Sequence, residues 1–120
     1  MKLYKASELK LEKLSNNFFT GEVMRSALMP AGVSSDFMMS VVRYPKGVRN
    51  KFHIHNHDQI LIGTAGEGIV ATEDGRWKLR EGDIICIPGG VNHWHGASEN
   101  ADFTHIALVR AGDELKQTEE

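Results

Sequence analysis

The sequence predicts an all-β protein, built as a barrel or as a double-sheet jelly roll. Short runs rich in β-branched and aromatic residues recur along the chain, and turn residues separate them at regular intervals. The 120 residues include 12 glycines but only three prolines, which favours many tight turns. No run combines the apolar period of a helix with a length of about 12 residues, so an α/β architecture is not expected.

Taken in order, the chain begins with residues 1–20, which fit neither period and are predicted to be an arm or an edge strand. Predicted strands then cover residues 22–28, 36–44, 51–55, 59–64, 69–72, 76–80, 84–87, 91–96 and 103–109. Asp74-Gly75 is a hairpin signal, and Gly66-Glu67-Gly68 is a predicted turn. Residues 111–120 are polar and are predicted to form a loose tail or a single helical turn. The whole of residues 1–120 is expected to be a single domain.

Composition excludes several classes of function. The chain is 41% hydrophobic and 25% charged with a formal charge of −2, which gives no electrostatic case for a nucleic-acid partner. No run approaches the roughly 18 apolar residues of a membrane span, and no signal core follows the first five residues. No membrane partner is therefore expected, and the predicted location is the cytoplasm. The single cysteine, Cys86, lies in an apolar run and is interpreted as a small buried side chain.

The side chains best suited to chemistry lie between His53 and Gln59. His53 and His55 are two residues apart, so on a strand they point the same way, about 6–7 Å apart along the backbone. Two imidazoles at this spacing can converge on one metal ion, and Gln59 has the same parity. His57 precedes Asp58 in a predicted loop and is interpreted as solvent-facing. A second cluster, His93-Trp94-His95, follows later in the chain.

Two segments resemble the sequence motifs of the cupin superfamily. The matching positions are Gly47, His53-Ile54-His55, Gln59 and Gly66 in the first motif, and Gly82, Pro88-Gly89-Gly90 and His93 in the second. The short segment between the motifs is similar to that of small single-domain bacterial cupins, and the resemblance covers about residues 35–110. It implies a cupin jelly-roll β-barrel, also called a double-stranded β-helix, with a metal inside its mouth.

A narrower group is also similar, namely the manganese-dependent cupin hydroxynitrile lyases and the cupins associated with carboxymuconolactone decarboxylases. The similarity rests on Phe18-Phe19-Thr20-Gly21, Gln59, His93-Trp94-His95-Gly96-Ala97 and Thr104-His105. Gln59 stands where most cupins have glutamate, and Ala97 stands where the second motif often ends in asparagine. The resemblance implies four metal ligands: His53, His55, Gln59 and His93. Gln59 could instead donate or accept a hydrogen bond behind the ligands.

The implied cofactor is a divalent transition metal, manganese by resemblance, although Fe, Ni, Co or Zn would accept the same ligands. A neutral amide in place of a carboxylate leaves the metal its full charge, which makes it a stronger Lewis acid.

The same resemblance places His95 and His105 beside the metal without ligating it. His95 shares parity with His93, and His105 lies on the last predicted strand. A neutral imidazole can take up or return a proton at physiological pH, so either residue is a candidate catalytic base. His105 could alternatively be a core histidine bonded to a backbone carbonyl. Ser40 and Val42 share one strand face, and by resemblance that face lines the substrate pocket.

The sequence therefore predicts a metal-dependent enzyme of the hydroxynitrile-lyase kind, acting on a small carbonyl or cyanohydrin-type substrate. The first alternative is a cupin dioxygenase that uses Fe or another redox metal. The second is a non-catalytic cupin that binds a metal or a small ligand. A homodimer or homotetramer is expected, because small cupins commonly pair through sheet edges and residues 1–20 could cross to a neighbour.

Overall fold

The computed structural model describes residues 1–120 and consists almost wholly of antiparallel β-strands. Its strands are β1 (Glu12–Leu14), β2 (Val23–Met29), β3 (Phe37–Tyr44), β4 (His53–His55), β5 (Gln59–Thr72), β6 (Gly75–Arg80), β7 (Ile84–Ile87), β8 (Trp94–Ala97), β9 (Phe103–Arg110) and β10 (Leu115–Gln117). The helical structure is limited to one 3₁₀ turn, Ala6–Glu8. No helix is long and apolar enough to cross a membrane. The predicted all-β class is confirmed.

Eight of the strands form one curled sheet, and β4 pairs with β10 in a second, two-stranded sheet. The order in the large sheet is β1-β2-β3-β9-β5-β6, and β7 and β8 also pair with β5. The 14 residues of β5 therefore meet four partners: β7 and β9 along most of its first half, and β6 and β8 along its second half. This strand holds the two halves of the sheet together.

The strands bury alternate residues, as a sheet with one face toward a core requires. On β9, Phe103, His105 and Ala107 are buried and the residues between them are partly exposed. The apolar core consists of Val23, Val42, Tyr44, Leu61, Val70, Leu79, Ile87, Ala97, Phe103 and Ala107. The same alternation turns His53 and His55 of β4 inward, so the predicted metal cluster lies on the interior face.

The turn predicted at Gly66-Glu67-Gly68 is wrong, because β5 runs through it. The strand bends here instead: its register against β9 shifts between Gly63 and Ala65, and Gly66 has a φ of 78°. A β-bulge and a left-handed glycine change the direction of a strand without ending it. The two glycines of this segment therefore indicated that the chain changes direction, but they did not show that the strand continues through the bend.

The loose tail or helical turn predicted for residues 111–120 is also wrong. Leu115–Gln117 forms strand β10 against β4, with Leu115 opposite His55. Glu119 then binds the guanidinium of Arg49 through both carboxylate oxygens, each at 3.0 Å. A polar edge strand needs no apolar alternation, because its backbone hydrogen bonds hold it. The composition of the segment therefore gave no sign of a strand.

Cys86 is exposed, and its predicted burial is wrong. On the short strand β7, Ile85 and Ile87 face inward, which turns Ile84 and Cys86 outward. In an unbroken apolar run, the sequence does not show which side chains face inward and which face outward.

Candidate metal centre

A direct backbone contact brings together histidines that are far apart in the sequence. The N–H of His53 donates to the carbonyl of His93 at 2.9 Å, and the N–H of His93 donates to the carbonyl of His53 at 3.0 Å. This antiparallel bridge brings the two ring centroids to 4.3 Å. His55 follows on β4, with its ring centroid 5.1 Å from that of His53. One ring nitrogen of each of these three residues lies within 4.8 Å of the other two.

The hydrogen bonds of the three rings fix which nitrogen carries the proton. The Nδ1 atoms lie 2.6 Å from the Lys51 carbonyl for His53, 2.9 Å from the Val91 carbonyl for His93, and 2.5 Å from a carboxylate oxygen of Asp113 for His55. These oxygens can only accept, so each Nδ1 carries a hydrogen, and Nε2 is the ring nitrogen that can offer a lone pair to a metal.

Buried lone pairs without a partner are the feature that fits a metal. The Nε2 atoms of His53 and His55 are buried and have no hydrogen-bond partner in the protein. Leaving such atoms unsatisfied is costly unless a cation meets them. Burial, and then the neighbouring His93, lowers the pKa of His53 to about 3, so the ring is neutral at physiological pH. Three imidazoles whose Nε2 atoms converge fit a divalent transition metal.

Gln59 lies beside this cluster at the start of β5. Its side chain is buried, and its Oε1 is 3.4 Å from Nε2 of His93. Both atoms carry lone pairs and neither has a hydrogen to donate, so a cation between them would satisfy both. The structure thus brings the four predicted ligands together and leaves out His57. The Nδ1 of that ring lies 2.8 Å from the Asn56 side-chain oxygen instead.

Asp113 is a site residue that the sequence reasoning missed. Its side chain is 4% exposed. One carboxylate oxygen accepts the hydrogen of His55 Nδ1 and the other accepts the backbone N–H of His57 at 3.0 Å. A carboxylate in this position fixes the orientation of a ligand histidine and increases its basicity. Asp113 lies just before β10, in the polar segment that was predicted to be a loose tail or a helical turn. No sequence signal therefore connected it with His55.

We expect Asp113→Asn to weaken divalent-metal binding by about 10–100-fold, because the amide loses the charge that supports His55. Competition against a chelating dye would measure the affinity. Glu114→Gln is the matched control, since it makes the same charge change one residue away on an exposed side chain. Equal affinities for the two variants would contradict the assignment.

His95 and His105 form a buried pair next to the three-histidine cluster. Nε2 of His105 lies 3.0 Å from Nδ1 of His95. Asn50 sets the direction of this bond: its Oδ1 accepts the backbone N–H of His95 at 2.8 Å, which aims its amide nitrogen at His95 Nε2, 3.1 Å away. His95 Nε2 therefore accepts, and His95 Nδ1 donates to His105. The remaining hydrogen sits on His105 Nδ1, which is buried and has no partner in the protein.

Burial keeps both rings of this pair neutral. It lowers the pKa of His105 to about 4, and burial together with His105 lowers the pKa of His95 well below its ordinary value. Neutral rings can accept a proton, and a low pKa means that they return it readily.

The depressed pKa of His105 predicts acid sensitivity. In the metal-free protein the unfolded chain binds a proton at this ring near pH 6.5, while the folded chain binds it only near pH 4. The free energy of unfolding should therefore fall as the pH drops from 6.5 to 4, by about 3 kcal/mol from this residue. Urea unfolding of wild type and His105→Gln across that range checks this. The variant should show a shallower pH slope, and identical slopes would contradict the prediction.

A cavity of about 360 Å³ lies between strands β2, β3, β5 and β9 and opens onto this cluster. Of the predicted site residues, seven line it: Ser40, Val42, His53, His55, Gln59, His95 and His105. His93 does not line it. Apolar side chains form most of the remaining wall, including Phe18, Met38 and Leu115. The arrangement provides a polar floor under an apolar pocket, which suits a small organic ligand with one polar end.

Comparison with known proteins identifies the family. The family described as Cupin domain matches residues 40–109, which include both histidine clusters. The chain belongs to the cupin family. A cupin-like protein from Thermotoga maritima MSB8 has a similar structure, with a TM-score of 0.87 at 28% identity, covering 97% of this chain and 90% of the other. The predicted jelly-roll fold of a small bacterial cupin is confirmed.

Two relatives of this cupin carry names of enzymes. The chain is 33% identical over 93 residues to a protein from Granulicella tundricola named (R)-mandelonitrile lyase, covering 77% of this chain and 71% of the relative. It is 31% identical over 65 residues to a protein from Frankia alni named acireductone dioxygenase, covering 51% of this chain but only 32% of the relative. The relatives thus include a lyase and a dioxygenase.

Proposed function

We propose that this cupin is a metal-dependent lyase that interconverts a small cyanohydrin and its carbonyl compound plus hydrogen cyanide. The observation that carries the proposal is that two groups of side chains lie next to each other beside one cavity. One group is the convergent lone pairs of His53, His55 and His93 with Gln59, and the other is the buried pair of His95 and His105. Similarity to a protein named (R)-mandelonitrile lyase supports the choice of reaction.

The proposed metal ligands are His53, His55, Gln59 and His93, and the proposed metal is manganese, with Fe, Ni, Co and Zn as alternatives for the same ligands. A divalent metal held there would supply Lewis-acid polarisation of a substrate oxygen. Asp113 orients His55, and backbone carbonyls orient the other two rings. The lining contains no carboxylate that could neutralise the positive charge.

The proposed role of the second histidine pair is proton transfer. The imidazole of His105, or that of His95, takes the hydroxyl proton of the cyanohydrin while the carbon–cyanide bond breaks and the carbonyl forms. The same proton then passes to the departing cyanide, which leaves as hydrogen cyanide. Asn50 holds His95 in the tautomer that bonds to His105. Ser40 and Val42 line the cavity wall and are proposed to contact the substrate.

Cyanide release from mandelonitrile by the manganese-loaded protein tests the proposal. We expect His105→Ala or His95→Ala to lower kcat by about 10²–10⁴-fold with the metal still bound, as removal of a general base does. Metal content is measured in the same samples. Full turnover in both variants would remove the two histidines from the reaction, and no cyanide release from the loaded wild type would overturn the lyase assignment.

A dioxygenase is the second candidate, because the chain also matches part of a protein named acireductone dioxygenase. Three histidines can hold a redox-active metal as well as a metal that acts only as a Lewis acid. Oxygen uptake by the iron-loaded protein would favour this candidate. A non-catalytic cupin would instead bind a small ligand tightly without turnover.

The homodimer or homotetramer and the cytoplasmic location expected from the sequence stay predictions. We propose that the interface includes the outer face of the large sheet. Two uncharged rows cross three strands there: Ile106-Ile62-Ile84 and Leu108-Ile60-Cys86. Ile84 is 66% exposed, and apolar faces of this kind favour a self-complementary contact. Light scattering should give a smaller mass for Ile84→Lys than for wild type, whereas Val33→Lys, on an exposed turn, should leave the mass unchanged.

A further inference from the structure

Arg25 is the one Lys, Arg, Asp or Glu residue that lines the cavity. It belongs to β2, opposite Val42 of β3, and Val42 is opposite His105 of β9. Paired residues of neighbouring strands project to the same face, so Arg25, Val42 and His105 form one row on the interior side of the sheet. Neighbouring strands are about 4.8 Å apart, which puts the Arg25 backbone about 10 Å from that of His105.

The guanidinium of Arg25 has no partner in the protein. The structure contains no hydrogen bond or ion pair from this side chain, whereas Arg43, Arg49 and Arg80 each bind a carboxylate. Arg25 is an exposed residue of the cavity wall, so all five of its N–H donors can be reached by a ligand. A single unpaired cation in a largely apolar wall is the kind of polar group that sets ligand orientation.

Arg25 and the histidine pair line the same cavity. Burial raises the pKa of Tyr44, and the positive charge of Arg25 opposes that rise, so the guanidinium is near enough to act on the phenol. The Tyr44 oxygen is 3.5 Å from Nδ1 of His95. A ligand that contacts Arg25 thus has its other end within reach of the reacting side chains.

We infer that the natural substrate is a small carbonyl or hydroxy compound with a carboxylate, and that Arg25 binds this carboxylate while the carbonyl end faces the three histidines. This inference rests on the proposed function for the reacting end of the molecule. The planar fork of arginine matches the two oxygens of a carboxylate. One arginine and a volume of about 360 Å³ fit a compact monoanion.

Calorimetry with two probes that differ by one carboxylate group tests the inference without requiring turnover. The probes are 4-carboxybenzaldehyde and benzaldehyde, titrated into the manganese-loaded protein. We expect wild type to bind the carboxylated probe about 10–100-fold more tightly, as a charge-assisted bidentate contact provides. Arg25→Met keeps most of the aliphatic stem and should bind the two probes equally, and Arg25→Lys should keep part of the preference. Arg43→Met, on the outer face of β3, should retain the full preference.

Two outcomes would overturn the inference: equal affinity of wild type for the two probes, or a preference that survives in Arg25→Met. A preference that persists in Arg25→Met but disappears when a chelator removes the metal would assign the anion to the metal instead. Cyanide release is measured separately. A carboxylate preference without cyanide release supports the inference while overturning the lyase, and cyanide release without the preference does the reverse.

Discussion

His53→Ala is expected to lower divalent-metal affinity by two to three orders of magnitude. Structural metal sites of four ligands have an apparent binding free energy of roughly 10–16 kcal/mol, so one ligand contributes about 3–4 kcal/mol. His53 is the central ring of the cluster, with centroids 4.3 Å from His93 and 5.1 Å from His55. Chelator competition measures the affinity, and the melting temperature with and without metal gives a second reading. The metal-dependent rise in that temperature should disappear in the variant.

His57→Ala is the matched control for this prediction. It removes a histidine from the same stretch of chain, but the His57 ring contacts Asn56 and Asp113 and does not join the cluster. Its metal affinity should stay close to that of wild type. His53→Gln keeps a polar side chain of similar size at the buried position, in case alanine prevents folding. Wild-type affinity in both His53 variants would show that the metal binds elsewhere.

Gly66→Ala is expected to destabilise the fold by about 2–5 kcal/mol, a large part of the stability of a small protein. Gly66 has a φ of 78°, where a side chain costs about 1–2 kcal/mol. A Cβ added there would also overlap the Asp102 carbonyl oxygen, and backbone cannot move aside as a flexible side chain can. Relief of such overlap costs roughly a further 1–3 kcal/mol. Urea unfolding would measure the change.

Gly82→Ala separates the two contributions. Gly82 has a similar φ of 88°, but no atom lies within 4 Å of the position that a Cβ would take. This variant should therefore lose only the conformational cost of about 1–2 kcal/mol. Equal losses for the two variants would mean that the overlap at Gly66 is relieved without cost.

The sequence was most informative where a local pattern determines the structure. Apolar runs bounded by turn residues identified β3 and β9, and Asp74-Gly75 marked the hairpin between β5 and β6. The continuity of β5 and the exposure of Cys86 were not predictable in this way. Both depend on which partner strand covers each face, and that is decided by contacts between residues distant in the chain.

For the candidate site, the spacing of His53 and His55 predicted that both rings point to the same face of a strand, and in the structure that face is the interior one. The family resemblance was needed to bring in His93, since parity cannot connect separate strands. Neither strand parity nor the family resemblance pointed to Asp113 or Asn50. Each acts through side-chain hydrogen bonds to a histidine more than forty positions away, and polar residues in turns and tails are common for other reasons.

The pairing of β5 with four other strands has a consequence for how the chain reaches its native state. Three of those pairings, with β7, β8 and β9, close long loops before they gain stability, and topologies dominated by distant pairings fold on the scale of milliseconds to seconds. Because β5 pairs with neighbours on both of its edges, we expect it to be paired already in the transition state for folding. Conservative truncations in its interior, such as Leu61→Ala and Val70→Ala, should therefore slow refolding in stopped-flow experiments more than they accelerate unfolding.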